Sequence, residues 1–255
     1  MKGVLFSAAH VNVSFGGVRA VRDVSFDVER GEVFSIIGPN GAGKTTVLNL
    51  ISRLYDVEAG GRMTFDGQDI TDIAPHDVAR RGIARTFQNT ELFEHETVLK
   101  NLLIGRHVHR RSNLLGELVF TPAVRAQEIG FRKVAEDVID LLDLQHYRNQ
   151  PIARLPYGVR KMVEIARALC VQPKLLLLDE PSSGLNPEET EDLCFWIEDI
   201  NQDFGATVIM VEHNIGLVST TSNRVMAMAD GAVRAIGEPA AIQSHPEVVK
   251  AYLGD

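Results

Sequence analysis

The chain has 255 residues, of which 45% are hydrophobic and 24% charged, the balance of a soluble globular protein able to bury a full core in one large domain or a domain with a subdomain. A formal net charge of −8 gives no electrostatic reason to expect a nucleic-acid partner, because such partners are drawn by basic fields. The two cysteines, Cys170 and Cys194, stand far apart in apolar context; they suggest neither a disulfide framework nor a zinc site and are expected as buried thiols of a reducing compartment.

The opening "MKGVLFSAAHVNVSF" passes directly into strand-like alternation without a cleavage context, so no signal peptide is expected. No uninterrupted apolar segment approaches the ~18 to 20 residues needed to span a bilayer. "VNVSF", "VRDVSFDV" and "GRMTFDGQDI" alternate and turn at glycines, as antiparallel strands do. Between them the apolar run Val33 to Ile37 ends in glycines and is followed by Val47, Leu48, Leu50, Ile51 and Leu54 at helical spacing. That order reads as buried strand, tight loop, helix.

From about residue 92 to 150 the pattern is helical in "HETVLKNLLIGRHV" and "RAQEIGFRKVAEDVIDLLDL", with the polar interruption "HRRSNLLGE" between them. "ARLPYGVRKMVEIARAL", 153 to 169, enters a helix through a Pro-Tyr-Gly turn; Val159, Met162, Val163, Ala166 and Leu169 share one face and Arg160, Glu164 and Arg167 another. Then come the buried strand "KLLLLDEP", the helix "NPEETEDLCFWIEDINQDF", the strand "ATVIMVEHN", a hairpin at "ADGAV" and a short terminal helix in "HPEVVKAYLGD". Strands alternating with helices predict an α/β core with an antiparallel piece in front and a helical insert in the middle.

Gly38-Pro39-Asn40-Gly41-Ala42-Gly43-Lys44-Thr45 satisfies the phosphate-binding loop pattern in full and sits between the expected strand and helix. Glycines let backbone N–H groups turn toward phosphate oxygens; Lys44 reaches the β and γ phosphates, the Thr45 hydroxyl ligates magnesium, and Thr46 follows in the same turn. A second strand end supplies carboxylates. Asp179 is expected to hold the magnesium ion through water, and Glu180 to orient and deprotonate an attacking water. Gln88 in "ARTFQN" and His213 in "VIMVEHN" are lone polar residues near apolar strands, and such a residue taken alone is more often a satisfied structural one than a catalytic one.

The order phosphate loop, Gln88, glycine-bearing helix start, Asp179-Glu180, His213 resembles the nucleotide-binding subunits of ATP-binding-cassette transporters, and the likeness covers essentially the whole chain. It implies a P-loop NTPase core of that type with an antiparallel β subdomain and an α-helical subdomain: about 1–90 and 155–255 forming the core, 91–154 the helical insert. It also implies that Phe15 stacks on adenine, the lesser alternative being a core aromatic on a strand. Gln88 matches the residue joining the metal and water site to the helical subdomain, which makes it a third metal contact beside Thr45 and Asp179. His213 matches the switch histidine that bonds the γ-phosphate. "SSGLNP", 182 to 187, matches the loop that crosses to a partner subunit, with Asn186 standing where many members have Asp.

In this family residues 155 to 159 align with the signature Leu-Ser-Gly-Gly-Gln, which closes over ATP held by the other subunit of a head-to-tail dimer. Here they read Leu155-Pro156-Tyr157-Gly158-Val159. What survives is Gly158 and a helix N-terminus suited to an anion; Arg160 and Lys161 add attraction or point to solvent. The Tyr-Gly pair, the "EIAR" that follows and the closing "HPEVVKAYLG" are similar to the ATPase subunits of bacterial branched-chain amino acid importers, and in part to subunits for urea, amides or lipopolysaccharide. The resemblance therefore implies ATP and Mg²⁺ as cofactors, integral membrane permeases and a second ATPase subunit, identical or related, as partners, and a solute-binding protein indirectly. It places the chain in the cytoplasm, on the inner face of the bacterial membrane. A soluble cassette acting on ribosomes or DNA, or a regulatory binding module, are the readings from other classes.

Overall fold

The computed structural model describes residues 3–86, 92–110 and 121–253. Two sheets are layered. The first is antiparallel, in the order β2-β1-β4-β5, from strands β1 (Val4–Phe15), β2 (Val18–Glu29), β4 (Arg62–Phe65) and β5 (Gln68–Asp69). The second has the order β10-β9-β3-β8-β7-β6, built from β3 (Val33–Ile37), β6 (Ile83–Arg85), β7 (Leu175–Asp179), β8 (Thr207–Val211), β9 (Arg224–Ala229) and β10 (Ala232–Gly237). Five of these six strands run parallel, and β10 returns antiparallel to β9 through the expected Asp230-Gly231 hairpin.

Strands β3, β7 and β8 are buried along their whole length, which is why they read as unbroken apolar runs rather than alternating ones. Their period of two still sorts the side chains. Phe34, Ile36, Leu175, Leu177, Ile209 and Val211 face the antiparallel sheet and helix α1 (Lys44–Ile51). Val33, Ile37, Leu176, Leu178, Val208 and Met210 face the helices on the other side. Each such aliphatic side chain contributes about 2 kcal/mol by leaving water, so neither face can slip register without losing its core.

The helical side carries α3 (Val98–Gly105), α4 (Pro122–Leu141), α5 (Tyr157–Leu169) and α6 (Pro187–Gln202), whose apolar faces join one continuous core. Helix α3 crosses α5 closely: a Cβ at Gly105 would lie 2.3 Å from the Arg167 carbonyl oxygen. The short helices α2 (Pro75–Arg81), α7 (Ile215–Thr221), α8 (Pro239–Gln243) and α9 (Pro246–Leu253) complete the chain.

One expectation needs correction. Cys170 is buried as expected, but Cys194 is only partly so, because it sits on the outer turn of α6 beside exposed Phe195. Nor do Glu164 and Lys161 on α5 meet solvent: they are 3% and 5% exposed, since α5 lies between α3 and the large sheet.

Candidate phosphate-binding and catalytic site

Strands β3, β8 and β7 are adjacent and parallel, so their C-terminal ends open on one edge of the sheet, where ligands of open α/β sheets bind. The register is level: Ile36 pairs with Val211, and Val211 with Asp179. Just beyond this row the chain continues as Gly38 after β3, His213 after β8 and Glu180 after β7. Residues distant in sequence are thus placed within about 10 Å of one another by two sheet spacings alone.

The loop after β3 is shaped by close backbone approach. A Cβ on Gly38 would sit 2.2 Å from the Met228 carbonyl oxygen, and one on Gly43, at φ 91°, would sit 2.4 Å from that of Ala20. Lys44 is buried, and its Nζ donates to the carbonyls of Gly38 at 2.8 Å and Pro39 at 2.9 Å. Burial pushes its pKa below the usual lysine value, opposed by the Glu180 and Asp179 carboxylates. A cation that burial disfavours and only neighbouring acids support is well placed to receive a further anion. Helix α9, unconnected with this site in the sequence reading, also reaches the loop: burial raises the Tyr252 phenol pKa and a hydrogen bond from the Gly38 backbone lowers it.

Asp179 lies 2% exposed at the end of β7. Its Oδ1 accepts from the Thr45 hydroxyl at 3.4 Å and its Oδ2 from Arg85 Nη2 at 2.9 Å. Arg85 also donates to Asn49 Oδ1 on α1 at 2.7 Å and to Ser52 Oγ, just past its end, at 3.3 Å. One carboxylate therefore faces the phosphate loop with one oxygen and a fixed cation with the other. Thr45 and Asp179 are hard oxygen donors, and among the described residues no group of three His, Cys, Asp or Glu converges. This set fits magnesium, which is bound by one or two carboxylates together with substrate phosphates and water.

Glu180 has φ 50°, in the left-handed region. Its N–H donates to the Val211 carbonyl at 2.9 Å, its own carbonyl accepts from Lys161 Nζ at 2.8 Å, and its Oε2 stands 3.3 Å from His213 Nε2, an ion pair when the imidazole is protonated. Glu212, fully buried, accepts at Oε1 from the Ser182 N–H at 2.7 Å and at Oε2 from the N–H groups of His213 at 3.0 Å and Asn214 at 3.3 Å.

Gly38 to Thr46, Asp179, Glu180 and His213 are thus brought to one edge. Phe15 ends β1 with its ring 44% exposed and packed edge-on to Tyr55, centroids 4.8 Å apart; the core-aromatic reading does not describe it. Gln88 lies outside the described residues.

Pro156, Tyr157 and Gly158 pack against the loop after Glu180. Tyr157 Oη donates to the Ser183 carbonyl at 3.3 Å, and the ring covers Gly184 so closely that a Cβ there would be 2.7 Å from Tyr157 Cε1. Helix α5 starts without a side-chain cap, leaving first-turn N–H groups of the kind that bind anions. Gly158 is buried under Glu189, the N3 residue of the α6 capping box; a Cβ on it would lie 2.4 Å from Glu189 Oε1. Arg160 and Lys161 do not point to solvent: Arg160 Nε folds back to the Leu155 carbonyl at 2.9 Å, and Lys161 points inward to Glu180. Arg85 and Glu212 are not singled out by the sequence, and Lys161 is, but without its partner at Glu180. Their signal was available, since a charged residue inside or ending an apolar run demands a buried partner.

The ABC transporter family model matches residues 21–183, and the branched-chain amino acid ATP-binding cassette transporter model matches residues 235–255, which contain Tyr252. The high-affinity branched-chain amino acid transport ATP-binding protein BraF of Pseudomonas aeruginosa is 39% identical over 255 residues, all of both chains. The ADP conformation of MJ1267, an ATP-binding cassette of an ABC transporter, superposes with a TM-score of 0.86 at 31% identity, covering 99% of this chain and 100% of that one. A dimeric post-hydrolysis state of the cassette MJ0796 bound to ADP and Pi superposes at 0.75 with 26% identity, covering 92% and 99%. The α/β cassette fold expected from the sequence is the fold of these neighbours.

Proposed function

Since the chain belongs to the ABC transporter family, as an ATP-hydrolysing subunit similar along its full length to branched-chain amino acid transport ATP-binding proteins, we propose that it powers the import of branched-chain amino acids through separate membrane permeases. The observation that carries this reading is the convergence of Lys44, Asp179, Glu180 and His213 at the ends of three neighbouring parallel strands. The C-terminal match at 235–255 favours amino acids over urea, amides or lipopolysaccharide as the solute.

The chemistry follows from the geometry. The loop 38–45 and Lys44 hold the β and γ phosphates, with Phe15 stacking on adenine from the rim. Thr45 and Asp179, with Gln88 as a third contact, would hold magnesium, which would supply charge neutralisation at the phosphate oxygens. Glu180 accepts a proton from the water that attacks the γ-phosphorus, the bond to the bridging oxygen breaks, and ADP leaves. His213 spans Glu180 and the γ-phosphate, which fixes the base relative to the atom under attack.

Each site is completed by the Gly158 turn of a second subunit, identical or related. Binding closes the pair and hydrolysis opens it, and the motion passes through the helical segment 91–154, near Gln88, to the permeases. Among the described residues no helix is long and apolar enough to cross a membrane; the chain sits on the inner face of the membrane by way of those permeases, which receive solute from a binding protein.

Deleting the chain from its host tests the solute. Uptake of leucine, isoleucine and valine at low external concentration should be lost and restored by the intact gene but not by a Glu180→Gln copy. Unchanged uptake of all three would overturn the assignment.

A further inference from the structure

We propose that Lys161 is a positioning residue for Glu180, tying the backbone of the general base to the helix whose first turn meets the partner subunit's nucleotide. The inference rests on the reading of Glu180 as the base and of Gly158 as the contact made in trans.

Lys161 follows Gly158 by three positions on α5, so the two lie on neighbouring points of one helix face. Its side chain runs inward, and the ammonium donates to the Glu180 carbonyl at 2.8 Å. A buried lysine is a costly way to fill space, because an apolar side chain of the same length avoids the desolvation of a charge. Burial pushes its pKa down, offset by Glu164, Glu212, Glu180 and Asp179 in that order, so the cation is held in a ring of acids at the catalytic edge.

What the cation secures is an unfavourable backbone. Glu180 is one of the non-glycine residues at positive φ, a conformation that costs on the order of 1–3 kcal/mol and persists only where its surroundings over-determine it. Several ties do so: its N–H donates to Val211, its carbonyl accepts from the Ser183 N–H at 3.1 Å as well as from Lys161, and its carboxylate faces His213. Glu212 fastens the chain on either side, holding Ser182 just past Glu180 and the His213-Asn214 turn opposite. Of these ties only Lys161 comes from α5. A displacement of the first turn of α5 therefore reaches the Glu180 carbonyl directly through the Lys161 side chain, beside the indirect route from Tyr157 through Ser183, and the peptide unit it moves sets the direction of the carboxylate.

The test separates binding from turnover. Lys161→Met ends one atom short of the lysine and fills nearly the same space without a donor. ATP turnover should fall by about tenfold or more while the ATP dissociation constant stays within about twofold, the pattern of an interaction realised in the reaction rather than in binding. Lys161→Arg, which restores a cationic donor, should recover most of the loss. If the methionine variant does not fold, Lys161→Gln replaces it: its amide is neutral and ends one bond short of the ammonium, and the same split is expected. Turnover within about threefold of the parent, or affinity falling in step with turnover, overturns the proposal. Glu180→Gln measured in parallel keeps the two readings apart: if that variant still turns over, the base is misassigned, whereas a dead Glu180→Gln beside an active Lys161→Met sinks this inference alone.

Discussion

Arg85 Nη2 lies 2.9 Å from Asp179 Oδ2, with the two side chains 6% and 2% exposed, and this pair joins the edge of β6 to the carboxylate that faces Thr45. Breaking a buried ion pair by removing one member leaves the other charge without its partner and costs about 3–5 kcal/mol. Arg85→Ala should lower the urea unfolding free energy by about that amount. Lysine is a poor substitute, because one ammonium cannot span Asp179 and Asn49 as the guanidinium fork does. A loss under about 1 kcal/mol, the range of an exposed pair, would show that Asp179 does not depend on Arg85.

Tyr157 should matter to the pair of subunits more than to the single one. Replacing it with serine removes the ring from Gly184 and the hydrogen bond to Ser183. For a side chain about half exposed that is about 1 kcal/mol of stability. Nucleotide affinity measured at dilution, where the chain is monomeric, should stay within about twofold, because the turn is read as meeting the partner's nucleotide. Collapse of monomer affinity on Tyr157→Ser would place the turn in the chain's own site.

The two cysteines should differ in reactivity. Burial pushes the Cys170 thiol up to about 12, with Arg106 opposing. Near pH 8 its thiolate fraction is on the order of one in ten thousand, and the thiolate is the reacting form. Cys194 is also raised by burial and by the Glu191 and Glu212 carboxylates, yet it is partly exposed. Iodoacetamide near pH 8 should label Cys194 in the folded protein, faster as pH rises, and Cys170 only on unfolding. Equal rates at both sites in the native state would contradict the burial of Cys170.

The parts of the site legible in the sequence are those whose chemistry is carried by contiguous residues. The glycines of 38–43 and Lys44 act through one loop, and Asp179 and Glu180 are announced by "LLLLDEP", where a fully buried strand ends in two acids. What was not legible depends on partners distant in the chain. Arg85 is buried because Asp179, 94 positions away, receives it. Strand β6, only Ile83–Arg85, exists because β7 pairs with it. Periodicity leaves open whether the charges on α5 meet solvent, because it reports which residues share a side, not whether a carbonyl such as that of Glu180 waits beneath them.

The most direct test of the account is ATP turnover and ATP binding measured side by side in the parent chain and Glu180→Gln, with magnesium present. The substitution removes the proton acceptor and leaves the loop 38–45, Lys44 and Asp179 in place. Binding should be unchanged within about twofold and turnover should fall by about 100-fold or more, the scale of general-base catalysis. Turnover within about tenfold of the parent, or ~1.4 kcal/mol of barrier, would contradict the assignment of Glu180 as the base on which the mechanism rests.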